Sequence, residues 1–360
     1  MDTKAEILKA LRRRAGSGAD LARRLKTSRQ AVHLHLKELV LGGRVVKTGM
    51  TRGAVYALAT DRSRSSAAVC FSKTYSLADL AEDEVFQEAS RRIQLARALP
   101  ANVRDIVQFG FTEMLNNAIE HSRAATCNVE IRLDPYECRF IVRDPGIGLF
   151  HSIASRFGLP DENAAVGELL KGKVTTMAER HSGEGIFFTS RAGDAVHFRS
   201  HRSELVFDGR TRDVVVKERR FLRGTEVRFE ISRRSRRRLE ALFEEFAPAD
   251  LDYRFEKTRV LVKLFQRNYV SRSEARRMLA RLHKFRSVEL DFRDVRSLGQ
   301  GFADEVFRVY RLAHPEVEIR AVHVRAAVGP VIRHVIDNAK IEKLDNSMTI
   351  IAGTPKTPDR

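Results

Sequence analysis

The spacing of apolar residues divides the chain into three regions, each with its own order of helices and strands. In residues 1–60, Ile7, Leu8 and Leu11 mark one helical face, which ends at the turn Gly16–Gly18. The predicted elements are helices around Ile7–Leu11, over Asp20–Lys26 and over Arg29–Val40, then strands Arg44–Thr48 and Ala54–Leu58, which form a hairpin with a basic tip.

A polar segment of small residues, Asp61–Ala68, separates the first region from the second and is predicted to be a linker. Beyond it, helices and strands predict an α/β sandwich that ends near Ile231. The predicted elements are strand Val69–Tyr75, helices Glu84–Ala98 and Val103–Ser122, strands Asn128–Leu133 and Cys138–Val142, a helix from Gly185, and strands Val196–Ser200, Glu204–Phe207 and Glu226–Ile231. Residues Leu149–Ser182 form a long, glycine-containing stretch that is predicted to be a mobile lid.

The third region alternates strands with helices, which predicts a small α/β domain with a mixed or parallel sheet. A basic helix from Ser232 onward is predicted to join it to the second region, and the tail from Thr354 is predicted to be disordered. The predicted elements are strands Val260–Phe265, Ser287–Phe292 and Glu318–Val324, and helices Ser271–Phe285, Phe302–Leu312 and Pro330–Ala339. The fold class predicted is multidomain α+β, with domains over 1–60, 69–231 and 255–345.

Positive charge is concentrated at the start of the chain. Residues 1–60 hold 13 Lys or Arg and 4 Asp or Glu, a balance of +9 out of +18 for all 360 residues. Such asymmetry favours an anionic polymer, most simply DNA, as partner. A solvated basic surface is the alternative, and charge alone does not separate the two.

The remaining composition predicts a cytoplasmic protein. No apolar run approaches the roughly 20 residues needed to cross a bilayer, and the acidic N-terminus does not resemble a secretory signal. Cys70, Cys127 and Cys138 lack metal-ligand spacing, so they are predicted to be buried free thiols.

Three short polar blocks in the second region suggest a binding site. Glu113 and Asn117 are four residues apart on a predicted helix, so their side chains share one face. A carboxylate can accept a proton from an attacking hydroxyl, and an amide oxygen is a suitable ligand for Mg²⁺. Ordinary polar residues on a helix surface would give the same pattern.

The other two blocks combine an acid with glycines. Asp144 ends an apolar strand before Pro145-Gly146-Ile147-Gly148, where a carboxylate can accept a hydrogen bond from a base and glycine permits close approach. Gly183-Glu184-Gly185 precedes an apolar helix, whose free amides would attract phosphate. Each block alone also reads as an ordinary turn. The cations Lys171, Lys173, Arg180 and His181 either screen phosphate charge or are simply solvated.

Together the blocks resemble the N, G1 and G2 boxes of the GHKL (Bergerat-fold) ATPase superfamily, over roughly residues 70–231. The run Glu113–Ser122 looks most like the anti-sigma serine-kinase branch. The resemblance implies ATP and Mg²⁺ as cofactors, with Glu113 as general base, Asn117 as Mg²⁺ ligand, Asp144 on adenine aided by Gly146, Gly148 and Thr225, and Gly183 and Gly185 on the phosphates. A P-loop is excluded by the lack of a Gly-x-x-x-x-Gly-Lys-[Ser/Thr] run, and a sensor histidine kinase is disfavoured because residues 76–119 contain no histidine.

Residues 1–60 resemble a winged helix-turn-helix of bacterial regulators. The resemblance implies that the third helix enters the major groove and that the hairpin touches phosphates. The implied DNA contacts are Ser28, Arg29, Gln30 and His33 near base edges, with Lys47 and Arg52 on the wing. Winged helices also serve as protein-contact modules, which remains the alternative.

Residues of about 255–345 resemble the STAS-like domain DUF4325, through the stretch Leu290–Glu305. STAS antagonists of sigma regulation carry a phosphorylatable serine at the corresponding turn, whereas Gln300 and Gly301 stand there in this chain. Ser297, nearby, is a weak substitute. The resemblance leaves open a protein partner at this domain, and a homodimer is likewise open.

Three functions fit these observations. The first is an ATP-binding, DNA-binding regulator in which the nucleotide state is coupled to the winged helix and the STAS-like module. The second is an anti-sigma-type serine/threonine kinase or a slow ATPase. The third is a non-catalytic scaffold that ATP stabilises.

Overall fold

Three separate β-sheets organise the chain, and each is built by one of the three regions. The structure, a computed structural model, describes residues 3–41, 44–48, 54–59, 68–172, 184–249, 254–264, 269, 271–341 and 350–352. It is a mixture of helix and sheet throughout. No helix in these ranges is long and apolar enough to cross a membrane.

The first region contains the three helices and the hairpin that the sequence predicts, together with one short extra strand. Its elements are α1 (Thr3–Arg13), β1 (Gly16–Ser17), α2 (Gly18–Leu25), α3 (Arg29–Leu41), β2 (Val45–Thr48) and β3 (Val55–Leu58). Ile7, Leu21 and Leu36 are fully buried and hold the helices together. The antiparallel order is β1-β3-β2, and the two-residue β1 is too short to show a period in the sequence.

The central region forms a five-stranded antiparallel sheet in the order β4-β5-β6-β8-β7. Its elements are β4 (Val69–Ser76), α4 (Glu82–Arg92), α5 (Leu95–Ala98), α6 (Ala101–His121), β5 (Thr126–Leu133), β6 (Glu137–Asp144), α7 (Leu149–Phe157), α8 (Glu162–Lys171), α9 (Gly185–Ala192), β7 (Ala195–Asp208), β8 (Asp213–Ser232) and α10 (Leu239–Phe246). The long helix α6 packs on the sheet through Phe111, whose ring meets Phe140 edge-on at 5.6 Å. Phe140 in turn stacks on Phe229 of β8 at 4.8 Å.

Part of the predicted lid is helical. The stretch Leu149–Ser182 was predicted to be a mobile lid, with no helix assigned in it, and the structure shows that Leu149–Phe157 and Glu162–Lys171 are helices. Asp161 caps the second of them by accepting a hydrogen bond from the Ala164 amide at 2.8 Å. Ile153 of the first helix and Val166 and Leu169 of the second are buried. The apolar spacing of these helices was therefore visible in the sequence, but the glycines of the stretch obscured it.

Three predictions for the strands and the connecting segment are wrong. Residues 195–208 form one strand instead of two, and β8 begins at Asp213 instead of Glu226. The arginine-rich segment 233–238 is not a helix, because its side chains bind main-chain carbonyls elsewhere. Arg237 donates to the carbonyls of Arg191, Gly193 and Gly209, and Arg233 to those of Ala98 and Asp134.

The third region is a four-stranded sheet in the order β12-β11-β10-β9, and every pair in it is parallel. Its elements are β9 (Lys257–Leu261), α11 (Arg272–Leu279), β10 (Ser287–Asp291), α12 (Gln300–Asp304), α13 (Tyr310–Ala313), β11 (Glu318–Val324), α14 (Gly329–Ile341) and β12 (Ile350–Ala352). The sequence prediction of a mixed or parallel sheet is thus narrowed to a parallel one, and β12 is an additional strand. The tail beyond Thr354 lies outside the described residues.

The second and third regions share a core. Phe187 and Phe188 of α9 are buried in the same apolar cluster as Phe246 and Phe255. Phe187 lies 4.3 Å from Phe255 and 4.9 Å from Phe246, measured between ring centroids. A helix of the central domain therefore packs directly against the C-terminal domain.

Two of the three cysteines match the prediction of buried free thiols. Cys127 and Cys138 are buried, and burial raises the pKa of each thiol to about 12. Cys70 is free but exposed, because it lies on the outer strand β4.

Candidate functional site

A cavity of about 350 Å³ opens between α6, the end of β6 and the beginnings of α7 and α9. Six of the candidate site residues from the sequence analysis line it, although they are spread over more than 100 residues of the chain. These are Glu113, Asn117, Asp144, Gly148, Gly185 and Thr225. A volume of this size suits a small organic ligand.

Glu113 and Asn117 lie one turn apart on α6, and both face the cavity. The opposite face of this helix buries Phe111 and Leu115 in the core, which fixes how the two polar side chains point. Both are only partly buried, so a ligand in the cavity can reach them. A carboxylate and an amide at this spacing can accept a proton and ligate a hard cation respectively.

Asp144 is a buried carboxylate at the end of β6, with 4% of its surface exposed. Its Oδ1 accepts a hydrogen bond from the Gly146 amide at 2.9 Å. Burial raises the pKa of this carboxyl from 3.8 to about 6, and hydrogen bonds from the Gly146 and Thr225 amides partly oppose that rise. Burying a carboxylate costs free energy, and buried acids with shifted pKa values are concentrated at functional sites, so Asp144 is a candidate for ligand binding.

The glycines around Asp144 are required by close main-chain approaches. A Cβ at Gly146 would lie 2.0 Å from the Ser122 carbonyl oxygen, and one at Gly224 would lie 2.0 Å from that of Asp144. Gly148 has a φ of +86°, and a Cβ there would meet the Ser200 hydroxyl at 2.6 Å. Gly146 does not line the cavity itself but holds the carboxylate that does.

Thr225 joins the turn to the sheet. It pairs with Asp144 across β6 and β8, and its hydroxyl accepts a hydrogen bond from the Leu149 amide at 2.9 Å. This contact connects the strand that carries Asp144 to the first turn of α7.

Helix α9 directs its N-terminus into the cavity, through Glu184, Gly185 and Ile186. The N-cap residue Glu184 does not cap this helix with its side chain, and the amides of a helix N-terminus attract anions. A Cβ at Gly185 would lie 1.9 Å from Glu113 Oε2, so any other residue at this position would require the Glu113 side chain to move. Gly183, the other predicted phosphate-binding glycine, lies outside the described residues.

Two family models match the chain. Residues 78–207 match the histidine kinase-like ATPase domain, and residues 274–326 match the STAS-like domain of unknown function (DUF4325). The chain carries a histidine kinase-like ATPase domain. Such a domain implies ATP binding, and the matched segment contains Glu113, Asn117, Asp144, Gly148 and Gly185. No curated protein matches the chain.

The structure corrects the reading of Lys171 as a cation that screens phosphate. Lys171 lies at the end of α8 with 2% of its surface exposed, and its ammonium contacts Glu168 at 2.6 Å. It also donates to the carbonyls of Arg277 and Ala280 at the end of α11, in the STAS-like domain. Burial lowers the pKa of Lys171, while Glu168 opposes that change. The other three candidates, Lys173, Arg180 and His181, lie outside the described residues.

The ATPase cavity has further walls that the sequence analysis missed. Apolar side chains that could flank a planar base line it, together with polar ones from the end of α6. They include Met114, Val142, Leu149, Ile153, Ile186 and Phe198, and the polar residues Asn116, Glu120, His121 and Ser122. The run Glu113–Ser122 was the one signal in the sequence for these residues, and it gave no individual role to Asn116, Glu120, His121 or Ser122.

The six residues implied in DNA contact belong to the first region, far from the ATPase cavity in sequence. Arg29, Gln30, His33 and Lys47 are exposed, as a groove-binding role would need. Ser28 is exposed too, but its hydroxyl accepts a hydrogen bond from the Ala31 amide at 3.2 Å and so helps to begin α3. Arg52 lies outside the described residues.

Proposed function

We propose that this chain is an ATP-binding regulatory protein in which Mg-ATP in the central domain is coupled to a winged-helix DNA reader and to the STAS-like module. The observation that carries the proposal is the buried Asp144 carboxylate in a cavity shared with Glu113 and Asn117. The match of residues 78–207 to the ATPase domain supports the same ligand.

The residues around the cavity fit ATP. The Asp144 carboxylate would accept a hydrogen bond from the adenine amino group, and Thr225 and the Gly146–Gly148 turn hold it in position. The amides at the start of α9 would face phosphate oxygens, where the helix dipole favours negative charge. Asn117 would ligate Mg²⁺, which prefers oxygen ligands and usually keeps few protein contacts. When bound, Mg-ATP supplies a phosphoryl group that can be transferred.

The presence of the Glu113 carboxylate in the cavity supports a second candidate function, which is catalysis. Its carboxylate lines the cavity close to the N-terminus of α9, where it can accept the proton of an attacking water or serine hydroxyl. An anti-sigma-type serine/threonine kinase or a slow ATPase would use the same residues. The two functions differ in whether phosphate leaves ATP and where it goes.

For DNA reading, the support is the charge of residues 1–60 and the exposed N-terminal turn of α3. Thirteen basic side chains in this region provide the sequence-independent attraction to phosphates. Arg29, Gln30 and His33 lie within the first five residues of α3 and are free to meet base edges. These features make a nucleic-acid role for the first region the stronger of the two readings.

One experiment separates an enzyme from a protein that binds ATP without turnover. Purified chain is incubated with Mg-ATP, and ADP and phosphoprotein are followed by mass spectrometry for the wild type, Glu113→Gln and the control Glu84→Gln, an exposed acid on α4. We expect tight ATP binding in all three, with any turnover lost only in Glu113→Gln, by about 100-fold or more. Phosphate on protein would support the kinase, and absence of ATP binding would refute the proposed site.

A further inference from the structure

A second cavity, of about 480 Å³, lies where the ATPase domain meets the STAS-like domain. It is larger than the nucleotide cavity, and it is walled by the β7–β8 hairpin, the arginine-rich segment before α10, the end of α9 and the edge of the parallel sheet. Nothing in the proposed ATP chemistry uses it.

The cavity faces the carboxyl ends of two parallel strands. Leu261 ends β9 and Asp291 ends β10, and both residues line the cavity. Open parallel sheets bind their ligands at this edge, because the strands end together and the loops beyond them diverge. The β7–β8 hairpin is held against these strand ends, since Arg293 donates to the Thr211 carbonyl and Lys263 pairs with Asp213.

The lining carries more positive than negative charge. Seven arginines and four carboxylates line the cavity. All four carboxylates are already engaged. Asp208 accepts main-chain amides of its own turn, Asp213 pairs with Lys263, Glu245 lies near Arg259, and Asp291 is held by Arg293 and His323.

Three of the arginines have no carboxylate partner within the described part of the chain. They are Arg191, Arg212 and Arg236, which come from α9, the hairpin tip and the segment before α10. The others are satisfied, with Arg237 bound to three carbonyls and Arg259 paired with Glu289. Three arginine side chains from three different elements therefore line one cavity without a carboxylate at salt-bridge distance among the described residues.

Arg191 is the most constrained of the three. Its guanidinium lies 3.4 Å from the centroid of the Phe187 ring and donates to the Phe187 carbonyl and the Ser190 hydroxyl. Burial lowers the pKa of this side chain to about 9, and the neighbouring charge of Arg259 acts in the same direction. Glu245 opposes these two effects on the pKa of Arg191, and a negative charge bound in the cavity would oppose them further.

We propose that this interdomain cavity binds a small, multiply charged phosphate compound, a phosphorylated metabolite or nucleotide-like effector, between Arg191, Arg212 and Arg236. Guanidinium groups suit phosphate because their planar donors match its oxygens in pairs. The cavity volume has room for a ligand of nucleotide size.

One short helix, α9, connects the proposed phosphate site to the nucleotide cavity. Helix α9 begins with Gly185 at the ATPase cavity and carries Arg191 in its last turn at the second cavity. A ligand that draws Arg191 toward it therefore acts on the helix whose N-terminus is proposed to meet ATP.

Inorganic pyrophosphate is the probe that tests this site. Its binding to the full chain is measured by calorimetry without Mg²⁺ and at constant ionic strength, for the wild type, Arg212→Ala/Arg236→Ala and the control Arg234→Ala. Arg234 is exposed in the same segment but does not line the cavity. We expect the double variant to weaken binding by about tenfold or more, and the control to match the wild type.

Hydrogen exchange then locates the anion. We expect pyrophosphate to protect amides in residues 208–214 and 234–242, which border the interdomain cavity. Protection confined to residues 113–118 and 184–188 would put the anion in the nucleotide cavity and overturn the proposal. Equal affinity of the double variant and the wild type would also overturn it, whatever the outcome for ATP.

Discussion

At the scale of single residues, Asp144 shows a conflict between binding and stability. The carboxylate is charged at neutral pH although it is almost fully buried, so the protein without ligand bears a cost that the ligand would recover. Other titratable groups lie around it, including Glu120 and His121 on α6 and Cys127 on β5. Burial raises the pKa of Asp144 to about 6, which lies within the pH range in which proteins are commonly assayed.

Replacing Asp144 by Asn should stabilise the ligand-free protein while weakening ATP binding. Because the folded pKa of the acid lies above its ordinary 3.8, its ionisation opposes folding once the pH exceeds the unfolded value. The stability advantage of the Asp144→Asn variant should therefore be absent below about pH 4 and complete above about pH 6, at roughly 1–3 kcal/mol. Urea unfolding at pH 4, 6 and 8 measures it, with the exposed Asp83→Asn as control.

The same substitution should remove most of the ATP affinity at pH 8, since the amide presents a donor where the adenine amino group needs an acceptor. The wild type should lose affinity as the pH falls through about 6, when the carboxyl becomes protonated. A variant that is less stable at pH 8, or that binds ATP as well as the wild type, would contradict this account of Asp144.

At the scale of elements, the sequence predicted those parts whose chemistry is local. The period of α6 and the apolar strands β5 and β6 are visible in the sequence, so Glu113 and Asn117 could be assigned to one helical face and Asp144 to a strand end. Helices α7 and α8 were missed because glycines dominated the interpretation of that stretch. Lys171 was misread because its acceptors, Arg277 and Ala280, lie more than 100 residues away.

The contact between α6 and α9 makes Gly185 a position where a small substitution would displace the Glu113 carboxylate. In Gly185→Ala the new Cβ would take the place of Glu113 Oε2, and the flexible glutamate would have to swing aside. We expect little change in thermal stability, because alanine is favourable in a helix, but a loss of about tenfold or more in any ATP turnover. Gly329→Ala, whose Cβ meets nothing closer than 3.5 Å, is the matched control. Unchanged turnover with intact folding would count against Glu113 as the base.

At the scale of the whole molecule, coupling between the ATPase and STAS-like domains depends on contacts that sequence could not reveal. Phe187 and Phe188 of α9 are buried with Phe255, and Thr258 donates a hydrogen bond to the Lys171 carbonyl at 2.6 Å. Arg191, Arg212 and Arg236 likewise meet only in the folded chain, since they are widely spaced in the sequence. The pattern of apolar and polar residues predicts helices, strands and motifs. It does not predict which charged residues from distant parts of the chain lie together, because that depends on the tertiary structure.

If these contacts couple the domains to the DNA reader, DNA affinity should depend on the nucleotide. A fluorescent duplex selected from a random pool would be titrated with the full chain in three states, ligand-free, with ADP and with a non-hydrolysable ATP analogue, at one fixed salt concentration. A coupling free energy of 1–3 kcal/mol corresponds to an affinity change of about 5- to 150-fold between states. The same ratio must appear when ATP affinity is measured with and without DNA, because coupling between two binding equilibria is reciprocal.

Arg29→Ala should weaken binding of the selected duplex in every state and leave the ratio of affinities intact, since Arg29 is exposed on α3 and distant in sequence from the nucleotide cavity. Identical DNA affinity in all three states would show that the two sites act independently.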